Sequence, residues 1–253
     1  MAASLLWMIG LVLESVILVR FLKCKLFTHY PFFFVYMALV WSSSISLWPI
    51  YHFYFSAYPN FFWAKQFLTL LAGFGVLLEI VQKSFEKYPG AKAFATAVLV
   101  GMFVILFGYF AFRLPAAPLV SSGENLSDVE RDFRAVQAIA LAGVLGVIFY
   151  YRVDIGRNLR GIISGFGLYV GSVILSRALR GYAGPSLDRE WSIVQPYMYL
   201  VCLMIWTAAL WSYAPAQAPE TPPGSDGEYG AFARRTKELL GTMRSDVGKV
   251  ERQ

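Results

Sequence analysis

Seven apolar runs, separated by short polar connections, divide the first 213 residues of the chain. Each run is close to the ~20 residues that a helix needs to cross a ~30 Å hydrocarbon layer. Backbone groups cannot stay unpaired in hydrocarbon, so a membrane-spanning segment is a helix or a strand of a closed barrel. We expect helices, because barrel strands are short and alternate apolar with polar residues. The expected spans are 4–21, 31–53, 61–81, 91–112, 135–151, 161–179 and 193–213. The pattern predicts an all-α, polytopic membrane protein with a bundle of seven transmembrane helices.

Composition agrees with lipid as the solvent of this domain. Apolar residues make up 57% of the 253 residues and charged residues only 15%, whereas a soluble domain is about 25% charged. The formal charge of +6 comes from basic clusters between the apolar runs, which is typical of a membrane protein fixing its orientation. We therefore expect the lipid bilayer as a partner and no nucleic acid.

The basic residues predict that orientation. Alternate connections form two sets, and cytoplasmic connections carry the excess of Lys and Arg. The richer set contains Arg20, Lys23, Lys25, Lys83, Lys87, Lys92, Arg152, Arg157 and Arg160, and the poorer set contains Arg113, Arg131, Arg134, Arg180 and Arg189. We expect the N-terminus outside and the C-terminus in the cytoplasm.

Beyond residue 213 the composition changes twice. Residues 214–230 are rich in Pro and Gly and predict a flexible linker. Residues 231–253 place apolar side chains at three- and four-residue steps between charges, which predicts a short amphipathic cytoplasmic helix. That helix could lie on the anionic membrane surface, contact a cytoplasmic protein partner, or remain a solvated tail.

Two local patterns refine the helical domain. Ser127 and Glu130 have the spacing of a capping box, which predicts a short helix or an extension of the fifth helix. Small residues four apart favour close helix packing, either inside one bundle or in a homo-oligomer through the sixth helix. These pairs are Ala142 with Gly146, Gly161 with Gly165, and Gly167 with Gly171.

Glu14 is the first candidate for a functional residue. It lies six residues before Arg20, so about 9 Å deeper along a helix. Its side chain is too short to reach the interface, so it should face protein or a wet cavity. Ser42, Ser43, Ser44 and Ser46 could contact it from the second helix, and Ser43 is our candidate among them. Glu14 is either a hydrogen-bonded structural carboxyl or a site for a cation, a proton or a ligand.

Three other charged residues are weaker candidates for binding. Glu79 could form an ion pair with Lys83 one turn on, or bind an ion or substrate. Lys65 and Arg177 lie near outer helix ends, where their long side chains can extend to the interface. Alternatively, they could form a basic rim around a ligand cavity.

Several activities are excluded by the residues present. His29 and His52 lie near opposite ends of one predicted helix, so paired-histidine haem ligation is not expected. Cys24 and Cys202 form no metal-binding motif, and the last helix has no lysine that could hold retinal. Nucleotide and hydrolase fingerprints do not occur at useful positions. We expect no enzyme activity, catalytic residue, metal or cofactor.

The segments HYPFFFVYMALVW and FFWAKQF…GFGVLLEIVQKSFEKYPGAK carry a family resemblance. Over residues 1–213 the chain resembles a group of bacterial seven-helix inner-membrane proteins of unassigned activity. In that group an aromatic-rich second helix precedes a third helix that ends in a glutamate and a Tyr-Pro turn. The matching positions are Tyr30, Pro31, Tyr36, Glu79, Tyr88 and Pro89. The resemblance implies the bacterial inner membrane, and the layout is similar to seven-helix sensor modules that precede histidine kinases.

Three functions remain open at this point. The first is a ligand-sensing, receptor-like module that signals to a cytoplasmic partner. The second is a small-solute or ion transporter that uses Glu14; no internal repeat supports it. The third is a non-catalytic membrane scaffold or accessory subunit.

Overall fold

A computed structural model of the chain describes residues 2–113, 123–150, 153, 155–183 and 185–213. These residues form helices and turns and contain no strand, so the prediction of an all-α fold is confirmed. The described α-helices are α1 (Ala2–Lys23), α2 (Pro31–Phe53), α3 (Tyr58–Ser84), α4 (Pro89–Arg113), α5 (Gly123–Tyr150), α6 (Arg157–Ala183) and α7 (Pro185–Ala209). The predicted linker 214–230 and terminal helix 231–253 lie outside the described residues.

Six of these helices, α1 to α6, are long and apolar enough to cross a membrane. The apolar part of α7 within the described residues is shorter, at Ile193–Ala209. The bounds of α2 agree with the predicted span, since Pro31 suits the first position of a helix. The fifth helix extends through the Ser127–Glu130 segment, but α5 begins at Gly123. Ser127 therefore lies four residues inside the helix, and the start predicted from the capping-box spacing is wrong.

Contacts between helices define a closed ring with one helix outside it. Around the ring α1 contacts α2, α2 contacts α3, α3 contacts α5, α5 contacts α6, α6 contacts α7, and α7 returns to α1. The remaining helix, α4, packs on α3 and α5 from the outside. We call the end of the ring where α1 begins and α2 ends the upper end, and the opposite end the lower end.

Four aromatic side chains fill the middle of the ring, and we call them the aromatic layer: Phe33, Tyr36, Phe166 and Trp206. Trp206 is fully buried, and its ring centroid lies 5.2 Å from that of Phe33 and 6.4 Å from that of Tyr36. The ring of Phe166 lies edge-on to Tyr36 at 5.8 Å. Rings in edge-to-face contact fill space densely. The layer therefore closes the centre of the ring.

The paired glycines of α6 allow α7 to approach closely. A methyl group added at Gly161 would overlap Ala209, and one added at Gly165 would overlap the indole of Trp206. By contrast, a methyl group at Gly146 or Gly171 would meet nothing within 4 Å. Gly161 and Gly165 therefore serve packing inside one bundle, while a homo-oligomer through α6 stays a prediction.

Candidate ligand site

A cavity of about 900 Å³ lies between five helices above the aromatic layer. Its walls come from the first half of α1, the first half of α3 and the middle of α2, α6 and α7. These segments lie between the middle of the ring and its upper end, because consecutive helices run in alternate directions. Polar side chains in the wall are Glu14, Ser44, Lys65, Gln66, Thr69, Ser172 and Gln195.

Glu14 lies in the α1 wall of this cavity, and only 2% of the residue is exposed. The Tyr199 hydroxyl donates a hydrogen bond to Glu14 Oε1 at 2.6 Å. The Ser44 hydroxyl lies 3.5 Å from the same oxygen and has a shorter contact, at 3.0 Å, with the Val40 carbonyl of its own helix. Glu14 Oε2 is buried and has no hydrogen-bond partner among the described residues. Since a buried polar atom without a partner costs about 1–3 kcal/mol, the carboxyl is suited to take a further donor from a ligand.

A chain of polar groups extends from Glu14 into the bundle. The Tyr169 and Tyr199 rings meet edge-on with centroids 6.0 Å apart. Behind them, the Arg134 guanidinium donates to the Tyr169 hydroxyl at 3.4 Å and is buried. Both tyrosines line the cavity. A ligand that moves either ring would therefore disturb contacts deep in α5.

The lower boundary of the cavity is the aromatic layer. Tyr36 belongs to both the cavity wall and the layer, and Phe33, Phe166 and Trp206 beneath it are almost completely buried. At the upper side the wall includes Trp7, which is 44% exposed. The aromatic layer therefore closes the cavity toward the lower end, and the exposed lining residues all lie on the other side of the layer.

The structure brings together only some of the predicted site residues. Glu14 and Lys65 both line the cavity. Ser43 does not line the cavity, and its hydroxyl donates to the Leu39 carbonyl of its own helix. Its neighbour Ser44 contacts Glu14 instead. Arg177 lies in α6, but its side chain is outside the described part of the structure.

Glu79 lies away from the cavity and has a structural partner. Its carboxylate accepts the backbone N–H groups of Phe32 at 3.1 Å and Phe33 at 2.9 Å, in the first turn of α2. These N–H groups have no intrahelical acceptor, because a helix leaves its first four donors unpaired. Nearby, burial and the adjacent Tyr213 and Glu79 raise the pKa of Tyr30 to about 12, so its phenol stays neutral. Glu79 therefore caps α2. Lys83, one turn further along α3, also acts on this carboxyl electrostatically.

Sequence reasoning missed Tyr199, Tyr169 and Arg134. Arg134 was assigned to an outer connection, although it lies three residues before Gln137 and seven before Leu141 on the buried face of α5. That spacing continues the apolar stripe of the helix and was the available signal. The contact between Tyr199 and Glu14 joins residues 185 positions apart, and the sequence carries no signal for it.

Comparison with known proteins gives no assignment for this site. The chain matches no family model, no curated protein and no solved structure. Within the described residues, no group of three or more His, Cys, Asp or Glu side chains could hold a metal ion. The chemistry of the cavity therefore rests on its own geometry.

Proposed function

We propose that the chain is a ligand-sensing, seven-helix protein of the bacterial inner membrane, with its N-terminus outside and its C-terminus in the cytoplasm. The observation that carries this proposal is the buried Glu14 carboxyl in the wall of a cavity that the aromatic layer closes toward the lower end. Ionisable groups inside membrane helices are costly and mark functional pathways or binding sites. A cavity of this volume is also of the size that holds small ligands.

The helix α7 connects the cavity with the lower end. It provides Tyr199 in the cavity and the buried Trp206 in the aromatic layer. At its lower end, the Asn158 amide donates to the carbonyls of Ala209, the last residue of α7, and of Ser212, both at 2.8 Å. The Arg20 guanidinium stacks on Trp211 at 3.6 Å. A shift of α7 on ligand binding would therefore change contacts made by the residues that immediately precede 214–253 in the sequence.

These contacts support signalling to a cytoplasmic partner through residues 231–253. Packed helices that slide by a small distance are a common means of carrying a signal between two sites. Here α1, α6 and α7 all contribute to the cavity and all meet again at the lower end. Transport requires, in addition, a second state in which the cavity opens to the lower end.

Cysteine labelling from each face of the membrane tests this proposal. In a Cys24→Ser background, Gln66→Cys places a thiol in the cavity wall and Glu86→Cys places one on the exposed lower end. We expect a membrane-impermeant maleimide to label Gln66→Cys only in right-side-out vesicles and Glu86→Cys only in inside-out vesicles. Labelling of Gln66→Cys from both faces would contradict a sensing cavity and favour alternating access.

A further inference from the structure

The charges and surfaces of the cavity identify a class of ligand. We propose that the site takes a zwitterion with an apolar body, whose ammonium group binds Glu14 and whose anionic group binds Lys65. This inference rests on the proposed function and deepens it. It follows from three features of the wall: an acidic side formed by Glu14, a basic side formed by Lys65, and an apolar surface over much of the rest.

The acidic side calls for a hydrogen-bond donor. Oε1 of Glu14 already accepts the Tyr199 hydroxyl, while Oε2 has no partner among the described residues. A protonated amine supplies both the missing N–H donor and a compensating charge, and charge-assisted hydrogen bonds are about twice as strong as neutral ones.

The basic side lies on α3. Lys65 and Gln66 line the cavity from the first part of this helix, whereas Glu14 lies on α1. An ammonium group has three donors on a rotatable stem, so Lys65 can contact a ligand anion in addition to its protein contacts. A simple cation placed at Glu14 would be repelled by Lys65. A ligand carrying both charges satisfies both sides, and for that reason we favour a zwitterion.

The remaining wall is apolar and partly aromatic. Trp7 and Leu11 of α1 face the cavity together with Pro196 and Leu200 of α7. Such surfaces bind an apolar group, while a few polar groups fix its orientation. An amphiphile with an aromatic or aliphatic body and a zwitterionic head group therefore matches the cavity as a whole.

Four probes with the same phenyl ring separate the possible head groups. Phenylalanine is zwitterionic, 2-phenylethylamine is cationic, 3-phenylpropionate is anionic and 2-phenylethanol is neutral. We expect phenylalanine to raise the Tm of the detergent-purified full chain by about 3 to 5 °C at a concentration roughly ten times its Kd. At the same concentration, we expect each of the other three probes to give a shift less than half as large.

Two variants assign each charge to its partner. In Glu14→Gln, the Tm shift produced by phenylalanine should fall to that produced by 3-phenylpropionate, since the ammonium has no carboxylate to bind. In Lys65→Gln, the Tm shift produced by phenylalanine should fall to that produced by 2-phenylethylamine, since the ligand carboxylate has no cation to bind. Ser43→Ala is the matched control, because Ser43 is buried beside Ser44 but does not line the cavity; it should keep the full pattern.

A lipid head group carries the same pair of charges, and one further probe distinguishes that source. Dihexanoyl phosphatidylethanolamine should raise the Tm with the same dependence on Glu14 and Lys65 if the natural ligand is a lipid, and should have no such effect if it is a free small molecule. Both results support a zwitterion site, provided that phenylalanine shows the expected pattern.

The inference is overturned if no probe raises the Tm, if 2-phenylethanol or 2-phenylethylamine acts as strongly as phenylalanine, or if Glu14→Gln leaves the pattern unchanged. The labelling of Gln66→Cys separates this failure from failure of the proposed function. Labelling from the upper face alone, with no head-group preference, leaves a one-sided site for another ligand class. Labelling of Gln66→Cys from both faces contradicts the proposed sensing function, whichever probes raise the Tm.

Discussion

Glu79→Ala is expected to lower the free energy of unfolding by about 2–4 kcal/mol, because it leaves the backbone N–H groups of Phe32 and Phe33 without an acceptor. The carboxylate also lies at the N-terminal end of α2, where the helix dipole favours negative charge. Pro31 precedes these donors and no side-chain cap is present on Tyr30. Unfolding by dodecyl sulfate in mixed micelles, followed by circular dichroism, measures the change.

Two variants control this experiment. Glu79→Gln keeps one oxygen acceptor and should lose about half as much stability. Glu86→Ala removes an exposed carboxylate near the same end of the bundle and should stay within about 0.5 kcal/mol of the unmodified protein. Equal unfolding curves for Glu79→Ala and Glu86→Ala would show that the contact with α2 contributes nothing to stability.

Gly165→Ala is expected to destabilise the bundle by about 1–3 kcal/mol, since an added methyl group would overlap the indole of Trp206. Gly161→Ala should have an effect of similar size, because its methyl group would overlap Ala209. Both changes force α6 and α7 apart, and membrane helices depend on such close contact for their association. The same unfolding assay measures both variants.

Gly146→Ala and Gly171→Ala are matched controls for these substitutions. Each adds the same methyl group in a helix, but at a position with nothing within 4 Å. We expect each to be neutral or slightly stabilising, because alanine favours helix over glycine by about 1 kcal/mol. A loss at Gly171→Ala as large as at Gly165→Ala would instead indicate an additional contact at that face, as in a homo-oligomer through α6.

The course of the helices could be predicted from the sequence because each depends on a long apolar run. Pro31 sets the start of α2, and the depth of Glu14 within α1 indicated an enclosed environment before its neighbours were known. The rotation of α2 relative to α1 could not be predicted, so Ser43 was chosen where Ser44 makes the contact. One residue along a helix changes the direction of a side chain by about 100°.

Contacts between segments far apart in the chain could not be predicted from the sequence either. Glu79 has Lys83 four residues on, which favoured a local ion pair, whereas its carboxylate accepts hydrogen bonds from residues 46 and 47 positions away. Similarly, Arg134 follows a run of charged residues that is typical of a connection, yet its side chain is buried. Such pairings depend on which helices become neighbours in the ring, and that arrangement is not encoded in any single segment.

The reactivity of the native Cys202 tests most directly whether the cavity stays closed toward the lower end. Cys202 lies on α7 between the cavity residue Leu200 and the aromatic-layer residue Trp206, and it is fully buried. In Cys24→Ser protein, a membrane-impermeant thiol reagent should leave Cys202 unmodified from both faces, with or without phenylalanine. Modification of Cys202 from the lower face, in inside-out vesicles of otherwise intact protein, would contradict a one-sided sensing cavity and indicate a transport pathway.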